Sequence, residues 1–138
     1  MSKPLILIVE DDEATAECLT DLLQSEGYAT ETLPVPGTLE AVRSIRPSLI
    51  LLDLVFPESK GEDLLRALRR DRELERVPVV LLSAVPRLAD VAARLPVQGH
   101  VGKPFDLEHL LQTIGSLVQQ PPTETSGLRL QPGLARER

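Results

Sequence analysis

Leu49-Ile50-Leu51-Leu52-Asp53 is an apolar run that ends on an acid, with Pro57 four and Gly61 eight residues beyond it. Four consecutive aliphatic residues without alternation describe a strand buried on both faces, as in a parallel sheet covered by helices. A carboxylate at the C-terminal tip of such a strand emerges where open α/β sheets keep their ligand crevice. Working outward, Leu5-Ile6-Leu7-Ile8-Val9 runs into Glu10-Asp11-Asp12, and Val79-Val80-Leu81-Leu82 runs into Ser83. A weaker segment around His100-Val101 leads into Gly102-Lys103-Pro104-Phe105. Acids, a hydroxyl and an amine are thus delivered to one edge of one sheet.

The intervening segments read as helices, apart from a short alternating strand over Tyr28 to Leu33. Glu13 to Ser25 carries acids in its first turn and Gly27 just past its end. Its predicted inward stripe is Ala14, Cys18 and Leu22 with Thr15, Leu19 and Leu23 alongside, which makes Cys18 a small core residue. A second helix covers Thr38 to Ile45 and stops at Pro47. A third covers Glu62 to Arg70, with Leu64, Leu65 and Leu68 inward and Arg66, Arg69 and Arg70 on a solvated face. The charged stretch Asp71 to Arg76 reads as a solvated connection. Pro86 and Pro96 bracket a short fourth helix over Leu88 to Leu95. The last helix starts near Asp106 as its cap, with Leu107, Leu110, Leu111, Ile114, Leu117 and Val118 as its apolar stripe and His109 exposed. Strands alternating with helices predict an α/β fold, a doubly wound five-stranded parallel sheet with helices on both faces. Residues 3–119 form the predicted domain, and 120–138, opening on linker composition, a disordered tail.

The chain has 138 residues, enough for one domain with a substantial core. No apolar run approaches the roughly 20 residues that span a bilayer. With one cysteine, an internal disulfide is impossible, which favours a cytoplasmic home. The net charge of −6 lacks the basic footprint of direct nucleic-acid binding and favours a cation or a basic partner surface.

Glu10, Asp11 and Asp53 on neighbouring strand ends would repel one another, and a hard dication removes that conflict. Oxygen donors without His or Cys favour Mg²⁺. The expected ligands are the side chains of Asp11 and Asp53, the backbone carbonyl of Val55 and waters, with Glu10 or Asp12 acting through a water. Such a carboxylate, flanked by Lys103 and Ser83, is suited to attack a phosphoryl donor and hold the acyl phosphate. The ion, the Lys103 ammonium and the Ser83 hydroxyl would each take one phosphoryl oxygen.

These residues carry a resemblance. Val9-Glu10-Asp11-Asp12, Leu51-Leu52-Asp53-Leu54-Val55-Phe56-Pro57 with Gly61, Leu82-Ser83-Ala84 and Lys103-Pro104-Phe105 resemble, in order and spacing, the receiver domains of bacterial two-component response regulators. The resemblance covers Lys3 to Val118. It implies a flavodoxin-like fold with strand order 2-1-3-4-5, Asp53 as phosphoacceptor, and Glu10 and Asp11 as the acidic pair at the Mg²⁺ site. It further implies Lys103 as the phosphate-contacting lysine, Ser83 as the switch hydroxyl, and a cis Lys103-Pro104 bond. The implied donor is a histidine kinase or a histidine phosphotransfer protein, and the implied output is contact with a downstream protein target, as monomer or weak dimer. The chain departs from the pattern where His100 takes the place of an aromatic switch residue, and in its short fourth helix. No output domain follows, so a stand-alone regulator is expected, with a non-phosphorylated pseudo-receiver adaptor as the alternative. The apolar Val55 and Val85 near the acceptor and switch positions predict slow autodephosphorylation.

Overall fold

The computed structural model describes residues 3–34, 38–53 and 60–118. Five strands alternate with five helices: β1 Leu5–Val9, α1 Glu13–Ser25, β2 Ala29–Leu33, α2 Leu39–Ile45, β3 Leu49–Leu52, α3 Lys60–Arg70, β4 Val79–Ser83, α4 Leu88–Ala93, β5 Gly99–Gly102 and α5 Leu107–Val118. The strands form one parallel sheet in the order β2-β1-β3-β4-β5. The apolar runs of β1, β3 and β4 occupy its three central positions, as residues buried on both faces require.

Side-chain alternation divides the core into two layers. Leu7, Val9, Ile50, Leu52, Val79 and Leu81 face Val42 of α2, Leu64, Leu65 and Leu68 of α3, and Leu88 and Ala92 of α4. Ile6, Ile8, Leu49, Leu51, Val80, Leu82 and Val101 face Leu19 and Leu23 of α1 and Leu110 and Ile114 of α5. Helices therefore cover both faces, giving the doubly wound arrangement.

Local signals set the helix ends. Asp12 caps α1 by accepting the Thr15 N–H at 2.9 Å, and Thr38 caps α2 by accepting the Ala41 N–H at 3.1 Å. At the other end of α1, the Tyr28 N–H donates to the Leu23 carbonyl and the Gly27 N–H to that of Gln24. This paired termination needs a left-handed residue, and Gly27 supplies it with φ 95°.

Four sequence expectations are corrected. The buried positions of α1 are Ala16, Leu19 and Leu23, whereas Ala14 and Cys18 are exposed, so Cys18 is not a core residue. Leu19 and Leu23 fix the inward direction, and Cys18 lies about 100° around the helix from Leu19. Leu107, at the start of α5, is 48% exposed instead of joining the stripe. Asp71 to Arg76 is no simple solvated connection: Leu74 is buried, and the side chain of Asp71 is 8% exposed where it pairs with Arg43 of α2. Arg69 does not lie on a solvated face. Its guanidinium donates to the carbonyls of Glu75 and Val77 at 2.9 Å, to that of Pro96 at 2.9 Å, and to Gln98 Oε1 at 2.7 Å. Helix α3 begins two residues earlier than expected and α4 ends two earlier. The expected tail, 120–138, lies outside the described residues.

Candidate functional site

The register of the sheet builds the site. Val9 pairs with Leu52, and beyond that pair the Asp53 N–H donates to the Val9 carbonyl at 3.1 Å. On the other side of β1, the Glu10 N–H donates to the Leu33 carbonyl at 3.1 Å. The backbone ladder thus holds both acids at the same C-terminal rim. On β4, Leu81 pairs with Leu52, which sets Ser83 on this rim one residue further along than Asp53. Ser83 pairs with Gly102, and its carbonyl accepts the Lys103 N–H at 3.0 Å. Lys103 is thereby launched from the end of β5, and its bond to Pro104 is cis.

Side chains converge from there. The Lys103 ammonium donates to Glu10 Oε1 at 2.6 Å and to Asp53 Oδ2 at 3.2 Å. Glu10 is 3% and Asp53 5% exposed, while Asp11 and Asp12 are exposed. Glu10 Oε2 also accepts the Asp12 N–H at 3.1 Å. Oxygens of Glu10, Asp11 and Asp53 lie within 4.8 Å of one another.

Burial pushes the Glu10 carboxyl above its ordinary range, and the hydrogen bonds from Lys103 and the Asp12 N–H only partly offset it. Burial alone would lower Lys103, but its hydrogen bonds to Glu10 and Asp53 together outweigh that and hold it above its ordinary range. Asp12 is held low by hydrogen bonds from the Thr15 side chain and N–H, consistent with its capping role.

Three carboxylates against one ammonium leave a formal excess of two negative charges, carried by hard oxygen donors. That set fits Mg²⁺ in charge and in ligand type. Asp11 and Asp53 would hold the ion, and it would supply charge neutralisation for a phosphoryl oxygen.

Of the sequence-predicted residues, Glu10, Asp11, Asp53 and Lys103 meet at one point. Ser83 is buried on the same rim, its Oγ accepting the Val85 N–H at 3.4 Å. The Val55 carbonyl, with Leu54, Phe56 and Pro57, lies outside the described residues. His100 is exposed on β5, opposite Leu81, and lines a shallow groove with Ala89, Ala92 and Ala93 of α4. The tight Lys103–Glu10 contact was missed by sequence reasoning, which directed the lysine at the phosphoryl group alone.

The response regulator receiver domain matches residues 6–115. The chain belongs to this family. The DNA-binding response regulator MtrA of Mycobacterium tuberculosis is 40% identical over 113 residues, which are 79% of this chain and 48% of that protein. The chain therefore spans about half the length of such curated relatives. Among solved structures, the signal receiver domain of a histidine kinase from Syntrophus aciditrophicus is 31% identical with a TM-score of 0.73, covering 91% of this chain and 99% of that one. The receiver domain of the sensor histidine kinase PA1611 from Pseudomonas aeruginosa is 25% identical with a TM-score of 0.72, covering 85% of this chain and 98% of that one. It was solved with a magnesium ion in its active-site cleft. This chain is accordingly a receiver domain of two-component systems, with the flavodoxin-like fold and strand order 2-1-3-4-5.

Proposed function

We propose that this receiver accepts a phosphoryl group on Asp53, in a Mg²⁺-dependent reaction, from a phospho-histidine of a histidine kinase or phosphotransfer protein. The observation that carries the reading is the convergence of Glu10, Asp11 and Asp53 with the Lys103 ammonium among them. An Asp53 oxygen attacks phosphorus in line with the phosphorus–nitrogen bond. That bond breaks, the imidazole leaves with its electron pair, and an acyl phosphate remains. Lys103 neutralises one phosphoryl oxygen, and Ser83 turns its hydroxyl to another, drawing the segment after β4 with it.

Burial limits water around Asp53 and strengthens each of these contacts. The product is a stored state read by contact with a downstream protein, so the domain acts as a cytoplasmic signalling switch and not as a turnover enzyme. His100, beside the α4 groove, is positioned to change its exposure with that switch.

The test is incubation of the chain with Mg²⁺ and acetyl phosphate or a phosphorylated histidine kinase. Acid-labile phosphate should appear stoichiometrically, disappear on chelation of the metal, and be absent in Asp53→Asn. A wild-type protein that binds the ion yet takes no phosphate from either donor would favour the adaptor alternative.

A further inference from the structure

We propose that Arg69 is the fulcrum of α4: it pins the C-terminal end of that helix and the lead into β5, so the segment drawn by Ser83 swings only at its start. The inference rests on the phosphoacceptor reading for what drives the swing. Where the segment is pinned and where it is loose stands apart from that reading.

The pinned end is a single guanidinium gathering three passes of the chain. From the end of α3, Arg69 donates to the Glu75 and Val77 carbonyls before β4, to the Pro96 carbonyl after α4, and to Gln98 Oε1 before β5. Gln98 completes the junction on β4: its N–H donates to the Val79 carbonyl at 3.0 Å, and its Oε1 accepts the Val79 N–H at 2.8 Å. A charged donor makes stronger hydrogen bonds to such carbonyls than a neutral one.

The loose end is the first turn of α4. Ala84, Pro86 and Arg87 are exposed, and the Val85 N–H reaches Ser83 Oγ only at 3.4 Å. Arg87 enters the helix from a left-handed conformation, φ 57°, which strains a residue bearing a Cβ, and it supplies no side-chain cap. Its ion pair with Asp90 lies within the segment and does not tie it to the sheet. The helix is six residues long, and its buried side chains are Leu88 and Ala92, the second only a methyl group.

The consequence falls on the groove between α4 and β5. Ala89, Ala92 and Ala93 form one wall, and Val97 to His100 the other. A helix crossing between two parallel strands runs antiparallel to them, so Ala89 lies toward His100 and Ala93 toward Val97. With the Val97 end pinned, a swing of α4 opens or closes the groove as a wedge, most at Ala89 and His100 and least at Ala93 and Val97.

Hydrogen exchange of the full chain, resolved by amide NMR, tests this in two arms. Without phosphodonor, the Val91 N–H, which donates to the Arg87 carbonyl in the first turn, should be at least about tenfold less protected than those of Val79 and Gln98. Arg69→Met should bring Val79 and Gln98 within about threefold of Val91 while Val91 itself stays near its wild-type rate. If that variant fails to fold, Gln98→Leu, which removes Oε1 alone, should do the same at Val79. Equal protection of the three amides in the wild type, or an equal loss at all three in the variant, would overturn the proposal. In the second arm, Mg²⁺ and beryllofluoride, an acyl-phosphate mimic whose binding ¹⁹F NMR registers, should change exchange at Val91 at least about threefold and leave Gln98 as it was. With the mimic bound, no change at Val91, or one as large at Gln98, sinks the fulcrum. A mimic that does not bind counts against the phosphoacceptor reading instead, and the first arm still decides.

Discussion

Arg69 and Gln98 are joined by a 2.7 Å hydrogen bond from the guanidinium to Oε1, and the same oxygen accepts the Val79 N–H at 2.8 Å. The end of α3, the start of β4 and the turn before β5 are locked together through this pair. The lock sits at the opposite rim of the sheet from the acids.

Replacing Arg69 by Met removes a cation that serves three carbonyls and one amide oxygen. Hydrogen bonds to charged groups contribute about 1.5–3 kcal/mol each when well made, and here the freed carbonyls recover some water. A loss of about 2–4 kcal/mol is expected in urea unfolding. Arg69→Lys should recover little of it, because an ammonium cannot reproduce the planar fork.

Lys103→Met leaves Glu10 and Asp53 facing each other without their shared cation. Breaking a fully buried pair costs about 3–5 kcal/mol; with Lys103 21% exposed, about 1–3 kcal/mol is expected at pH 7. In the variant, Glu10 should take up a proton at higher pH than it does in the wild type. Its folded state then binds more protons than its unfolded state, so the deficit should shrink as pH falls from 7 toward about 5. In the wild type, Lys103 is raised, so its contribution is complete below the unfolded lysine pKa and disappears as pH rises through the folded value. Thermal unfolding of both proteins across pH 5–11 checks both limbs.

The Arg43 side chain holds the Asp71 carboxyl below its ordinary range. A depressed carboxyl stabilises the fold above its unfolded pKa, about 3.9, and loses that contribution as pH falls through the folded value. Asp71→Asn should therefore melt below wild type at pH 7, with the difference closing as pH drops below 4.

Cys18 is exposed on α1. Cys18→Ser should change stability by less than about 0.5 kcal/mol. A thiol reagent should modify the folded chain at a rate close to that of the unfolded chain. A cost of 2 kcal/mol or more would return Cys18 to the core.

Slow loss of phosphate remains an expectation from Val55 and Val85, whose side chains offer no hydrogen bond to an attacking water. Val85→Gln should shorten the half-life of the acyl phosphate severalfold, measured by loss of label after donor removal.

The sheet was legible because continuous apolar runs such as Leu49–Leu52 have few alternatives, and each ends on a residue that burial would otherwise exclude. Part of the candidate site was legible for the same reason, since Asp53 and Glu10 are polar groups at the ends of greasy strands, whereas Lys103 follows the weaker β5. Helix phase was harder to read. Apolar residues lie around much of α1, so a stripe through Ala14 and Cys18 was read where the buried face carries Ala16 with Leu19 and Leu23. Arg69 was invisible because its partners are largely backbone carbonyls, which every residue carries. Leu74 was hidden among charges, a single buried side chain without periodicity to announce it. The closer approach of Lys103 to Glu10 than to Asp53 is a matter of three-dimensional placement at the rim, which no linear spacing encodes.

Asp53 and Glu10 owe their places to hydrogen bonds that continue the pairing of β3 and β2 with β1. One residue added inside β3 would carry the acceptor past its neighbours and point it through the sheet. The Arg69 rim has no such arithmetic to satisfy. Tethers, tags and reporter dyes belong at that end, where a longer connection costs fastening and leaves the chemistry in step.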